Sequence, residues 1–326
     1  MADPIEEFWT WWTAAAPRIV AAMETHDLGG LDEEITAHVQ AIDEGLKWEL
    51  GPGGGDKPAF ALCWDGDIER RRITERWLAT APENDPAWDY FPARPPGTGW
   101  EDLTMELGPH KVEFGKFLCA FAPDENTERV DVEIFHPATV KAPENVRGTA
   151  AFVMLDRAFG EDGVERWIGS VEIATKKPKD AVSIAELVAA VAEIQENATG
   201  DVCNLYEGEV DGAPVFILKN EALKIIDHLH CDQVLAVTIK YEAEATGLPA
   251  KADSDALDAL EDTLIEALGD AAVYHGRETG SGERTIYMFA TADAAKLVEP
   301  WAEKAGREID IELAPDPTWE GLERWS

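Results

Sequence analysis

The chain has 326 residues and carries 28 Lys and Arg against 65 Asp and Glu, a formal net charge of −37. That balance excludes direct nucleic-acid binding, which needs clustered basic side chains, and it suits a protein partner with a basic surface or, given how evenly the acid is spread, general solvation. Hydrophobic residues make up 45% of the chain; that is enough for about two cored domains, while no apolar run approaches a membrane span.

The start, Met1-Ala2-Asp3-Pro4-Ile5-Glu6-Glu7, is acidic where a signal peptide is basic, so the expected location is the cytoplasm, away from membranes. Phe8, Trp12, Ile19 and Val20 recur at helical spacing within Pro4–Thr25, and Ile35, Val39 and Ile42 do so in a second helix over 31–44. Strands are predicted at 46–50 and 59–64, around Gly51-Pro52-Gly53-Gly54-Gly55-Asp56. That glycine run reads as a hairpin turn, because Lys57 is followed by Pro58 where a phosphate loop needs Ser or Thr opening a helix. A helix over 67–80 carries Arg70, Arg71, Arg72 and Arg76 beside Glu69 and Glu75, a solvated, paired face. Strands follow at 88–93, 111–121 and 128–135, where Val130, Val132 and Ile134 alternate with acids. A helix over 146–158 precedes Gly160-Glu161-Asp162-Gly163. Lys176-Lys177-Pro178-Lys179 is a basic break. The domains are therefore placed at 1–178 and 203–326, with an amphipathic linker helix inside 179–202.

The second half reads more plainly. Asp211-Gly212 between two apolar strands is a hairpin signal, and Pro214 argues for an edge position. A strand at 234–241 leads to a helix over 255–268 with Leu257, Leu260, Leu264 and Leu268 as its stripe, capped by Asp253 or Ser254 and ended by Gly269. Strands at 272–278 and 284–290 come next. A helix capped by Thr291 and interrupted by Pro300, and a last strand at 307–313, complete the order β-α-β-β-α-β. The fold class is α+β: a ferredoxin-like βαββαβ sheet with helices on one face, preceded by an N-terminal α+β domain.

The stretches Tyr206-Glu207-Gly208 to Val215-Phe216, Leu257 to Asp262, Val273 to Thr279, and Glu312 to Trp319 together resemble a bacterial domain family of unknown function, number 695, over about residues 203–325. The run from Gly160 to Gly169 is similar to the N-terminal region of some proteins that carry this domain. The resemblance implies no activity and no catalytic residue. It places the domain at times beside one similar to an inhibitor of a bacterial ribonuclease. The tail Glu320-Gly321-Leu322-Glu323-Arg324-Trp325 lacks the more aromatic ending of that family.

Chemistry is sparse. His228, His230 and Cys231 are the nearest approach to a metal string, but further ligands do not follow at a recognisable spacing, and a polar turn explains them. Arg277 and Arg284 flank a glycine-containing loop and are candidates to clamp an anion; the plainer account makes them solvated. Trp167 is a third binding candidate. Cys63, Cys119, Cys203 and Cys231 never form a CxxC pair and are expected as reduced core thiols. Without a nucleophile elbow, zincin or dinucleotide motif, no cofactor is expected. The chain reads as a non-enzymatic regulatory or protein-interaction module using its sheet face. The alternative is a small-molecule enzyme or binder with its site between the two domains.

Overall fold

A computed structural model describes residues 3–25 and 27–325. It is a mixed α+β structure with eight α-helices and four sheets among the described residues. The chain divides into two compact units. One is Met1–Asp124 with Arg129–Glu196, and the other is Glu125–Glu128 with Asn197–Ser326. Among the described residues no helix is long and apolar enough to cross a membrane.

The first unit opens with helices α1 (Pro4–Thr25) and α2 (Leu31–Ile42), the hairpin β1 (Lys47–Pro52) and β2 (Pro58–Cys63), helix α3 (Ile68–Ala79) and strand β3 (Asp89–Phe91), which lies parallel to β2. The apolar stripe of α1 is aromatic. Phe8, Trp9 and Trp12 are buried with Phe60 and Trp77, and Trp9 stacks on Trp77 at 4.8 Å. Large flat rings give this small sheet a core that it could not build from aliphatic residues alone. Asp67 caps α3 by accepting from the Glu69 amide. Of the basic residues on α3, Arg71 is not solvated: it is buried and paired to Asp162 and Glu75.

Strands β4 (Thr104–Leu107), β5 (His110–Glu113), β6 (Leu118–Asp124) and β7 (Arg129–Phe135) follow. The single strand expected over 111–121 is broken by a 3-10 turn at Phe114–Lys116. Phe114 and Phe117 are both buried, and three residues along a flat strand would send them to opposite faces. Helices α4 (Glu144–Phe159) and α5 (Glu161–Trp167), strands β8 (Ile168–Ile173) and β9 (Val182–Ser183) and helix α6 (Ile184–Asn197) complete the unit. Leu187 and Val191 bury α6 in the core formed by Val130, Val132 and Ile134, so the linker helix packs with the first unit.

Gly160 joins α4 to α5 at φ +72, ψ 165, a region open to glycine almost alone. A Cβ there would lie 2.7 Å from the Arg94 carbonyl oxygen. The turn aims Glu161 at the backbone amides of Asp65 and Arg94, at 3.1 and 2.8 Å, and aims Asp162 at Arg71 and the Trp64 indole. The Gly160-Glu161-Asp162 run is thus a staple that ties α5 to β2, α3 and the chain near Arg94.

The second unit is one six-stranded sheet built from β10 (Cys203–Val210), β11 (Ala213–Asn220), β12 (Gln233–Lys240), β13 (Ala272–Gly280), β14 (Glu283–Ala290) and β15 (Ile309–Pro315). The order across it is β10-β11-β13-β14-β12-β15, every neighbouring pair antiparallel. Helices α7 (Lys251–Leu268) and α8 (Ala295–Ala302) cover one face through Leu257, Leu264 and Val298 against Leu235, Val237, Ile286 and Met288. Pro214 is not on an edge strand: β11 lies between β10 and β13, and β13 begins pairing only at Val215. The proline therefore costs no bond in that ladder. The cap of α7 also differs. Its N-cap is Ala250, with no side-chain bond, and Asp253 is spent on Arg307 instead. Thr291 makes no side-chain cap either.

The face opposite the helices is not bare. Asp316 accepts from the amides of Glu320 and Gly321 at 2.8 and 3.0 Å, folding 320–325 into a 3-10 turn. Trp319 lies flat on Phe289, 3.9 Å and 5° between planes, and its indole N–H donates to the Cys231 carbonyl at 2.7 Å. Trp325 stacks on His275. Few aromatic residues suffice for this tail to close the middle of the face expected to be open.

Candidate functional site

The His228-Leu229-His230-Cys231 string follows a 3-10 turn at Ile225–Asp227. His228 stacks against Trp319, a His230 ring nitrogen lies 3.2 Å from the Asp270 carbonyl, and Cys231 is fully buried. Among the described residues no group of three or more His, Cys, Asp or Glu gathers where it could hold a metal. The string serves as a corner that seats the tail. Trp167 packs half-buried on the core of the first unit. Three of the four cysteines are buried as expected; Cys203 is exposed, because it opens the edge strand β10.

Arg277 and Arg284 do come together. Across the sheet, Leu205, Leu218 and Arg277 form one row, and Phe216, Thr279 and Arg284 the next. Both rows face the side that carries α7. The arginines meet two acids one turn apart on that helix. Arg277 donates to Glu261 at 2.7 Å and reaches Asp258 at 3.1 Å. Arg284 donates to Asp258 at 2.6 Å and to Thr279 Oγ1 through Nε at 3.1 Å, and its Nη1 lies 3.4 Å from Glu261. Neither is a solvated hairpin arginine: the Arg284 side chain is 3% exposed and that of Glu261 is 6%. Burial opposes the Arg277 charge, but Glu261 and Asp258 outweigh it and hold the guanidinium above its usual range. Burial, then Glu261, pushes the Tyr274 phenol up as well.

The acids were legible only in part. Glu261 falls on the buried stripe of α7, with Leu257, Leu264 and Leu268. A charge at a core position signals a buried partner, but the partner's identity depends on sheet register.

Beside the cluster lies a cavity of about 270 Å³. Leu205, Phe216, Leu218, Leu248 and Pro249 form its apolar wall, and Arg277, Arg284, Thr279 and Ser254 its polar end. The extension β10–β11 makes this space, because among the described residues α7 and α8 pack on the other strands, against Leu235, Val237, Ile286 and Met288. The arrangement can bind but is poorly suited to attack. Two cations cancel two anions, and partial desolvation together with the adjoining Asp201 carboxylate raises the nearby Cys203 thiol to about 11, against the thiolate that attack needs.

The outer side of β10 is the second feature. Leu205, Tyr206 and Val210 are exposed at 64%, 46% and 54%, and among the described residues β10 pairs only with β11. Glu207 and Glu209 lie among them.

A larger cavity in the first unit, about 430 Å³, is bordered by Trp64, Phe152, Asp156, Glu161 and Glu165. Burial raises these carboxyls, Asp156 to about 6. Asp156 and Glu161 are occupied by Arg94 and by the backbone amides of the staple, which accounts for them structurally.

The second unit is thus an antiparallel sheet domain with a buried ion cluster and an exposed apolar edge. Residues 203–323 match the model of a family described as a family of unknown function (DUF695). No curated protein and no solved structure matches the chain.

Proposed function

We propose that this protein is a non-enzymatic interaction module whose second unit is a ferredoxin-like domain extended by a hairpin, and that it binds by adding a partner strand to β10. The ferredoxin-like reading is supported by the order β15-β12-β14-β13 within the sheet and by the crossovers α7 and α8 on one face. The observation that carries the function is the edge itself. An edge strand with exposed apolar side chains and unpaired backbone groups is a template for another strand. The eight residues of β10 include no lysine or proline, and their two glutamates guard the edge against an acidic strand while admitting a basic one.

The occupant is an extended segment that alternates basic and apolar residues. Glu207 and Glu209 on β10, with Asp211 at the hairpin tip, supply the complementary charge. The two-residue turn Asp211-Gly212 makes Val210 and Ala213 a hydrogen-bonded pair, so the amides of Leu205, Glu207 and Glu209 point outward.

The test uses a labelled peptide of alternating lysine and valine, read by fluorescence anisotropy against the full chain. Binding is expected to weaken steeply with salt and to vanish in Glu207→Pro, which removes an outward donor and leaves the β11 ladder intact. Undiminished binding by Glu207→Pro, or no binding at low salt, overturns the reading.

A further inference from the structure

We propose that the cavity behind β10 is a binding site for a small apolar monocarboxylic acid, with its carboxylate held by Arg277 and Arg284. This stands apart from strand addition: the polar groups Arg277, Thr279 and Arg284 lie on the helix-bearing face, two and three strands in from the edge, and Leu205 of β10 contributes only to the apolar wall.

The donors carry the argument. Arg277 spends Nη1 on the two acids, and Arg284 spends Nη1 and Nε. The Nη2 groups make no hydrogen bond within the protein among the described residues, and both side chains border the cavity. These Nη2 groups are not among the buried atoms left without a partner; they open on the cavity, where a carboxylate can take the place of water and accept charge-assisted bonds from both arginines. Arg284 is held rigid by Thr279 and Asp258, so little side-chain entropy is lost on binding. Thr279 accepts the Arg284 Nε bond and keeps its own O–H to give. Leu248 and Pro249 lead into α7, whose N-terminal end adds a positive dipole.

The acids Asp258 and Glu261 already have their cations, so a ligand anion meets a neutral cluster and not a bare acidic one. A cationic ligand would find only arginines facing it. The apolar wall selects the rest of the molecule. A volume of about 270 Å³ lies below the usual range for drug-sized ligands, which points to a short chain or one ring.

Hexanoate and hexan-1-ol are the probes, and methyl chemical shifts of Leu205, Leu218 and Leu248 in the full chain are the readout. Hexanoate is expected to shift these methyls and to bind about ten-fold more tightly than the alcohol, the factor expected of a charge-assisted contact. Arg277→Gln should bring hexanoate down to the level of the alcohol. Leu248→Trp, which fills the cavity from its rim, should abolish both. Equal binding of acid and alcohol overturns the proposal. So does hexanoate binding that survives Arg277→Gln in a protein with unchanged far-UV circular dichroism, or an absence of shifts at these methyls.

Discussion

The indole of Trp325 stacks on the imidazole of His275, 4.9 Å between ring centroids and 18° between planes. Phe289 packs on the same imidazole at 5.4 Å, and neither ring nitrogen of His275 meets hydrogen-bond geometry among the described residues. Burial, with Lys219 and Arg324 nearby, pushes this histidine down to about 4. The tail and the sheet are therefore joined by a group that resists protonation.

That linkage has a definite sign. An unfolded histidine binds a proton near pH 6.5, whereas the folded one does so near 4. Between those values the unfolded state holds more protons, so stability falls as pH drops from about 6.5 to about 4, by about 3 kcal/mol at most. Above that window the histidine contributes no pH dependence. The difference in urea midpoint between the native protein and His275→Phe should change across this window and flatten above it. A constant difference would show that His275 titrates normally in the fold.

Removing the cover should release the same group. Trp325→Ala opens one face of the imidazole to water, so the His275 titration should move up towards 6.5 when its ring protons are followed by NMR. The loss of the half-buried ring costs about 1–2 kcal/mol. An unmoved titration would mean that Phe289 and the sheet alone depress it.

Glu261 and Asp258 serve the same two arginines but differ in burial, 6% against 47% for the side chains. Glu261→Ala leaves buried Arg284 with one remaining acid and should cost about 2–3 kcal/mol. Asp258→Ala lets water replace the carboxylate and should cost about 1 kcal/mol or less. Equal losses on urea denaturation would remove burial as the explanation.

Gly160→Ala should be among the most damaging single changes in the first unit. It places a Cβ against the Arg94 carbonyl in a backbone conformation closed to alanine, at a cost of about 3 kcal/mol or more. Gly108→Ala, also at positive φ but facing open space, should cost about 1 kcal/mol. Denaturation of the two variants side by side separates the steric contribution from the conformational one.

Much of the architecture was legible because it is written locally. Period-two and helical spacing mark β7, β12 and α7, and Asp211-Gly212 marks its hairpin. What escaped depends on residues distant in the chain. Pro214 suggests an edge, yet one strand end can lie beyond a neighbour's pairing without an edge being present. Asp253 looks like a cap until Arg307 claims it. The tail looks poor in aromatics, yet Trp319 and Trp325 find Phe289 and His275 on strands that sequence spacing cannot bring to them. Arg277 and Arg284 were legible as candidates. Their acids and their cavity were not, because both follow from the register of β10, β11 and β13.

In β13, Tyr274 pairs opposite Met288 and Gly276 opposite Tyr287, with His275 as the supernumerary residue. Counting by twos from Tyr274 would send Arg277 and Thr279 to the face where the tail lies. The extra residue resets the count, and both return to the side of α7. The bulge thus lets one strand offer an imidazole to Trp325 on one face while keeping its arginine on the other. An in-frame deletion of the His275 codon would leave Gly276 opposite Tyr287 and Arg277 opposite Ile286, so the ion cluster and its cavity would survive while the ring beneath Trp325 is lost, which separates the tail's seat from the arginine site in a single genetic step.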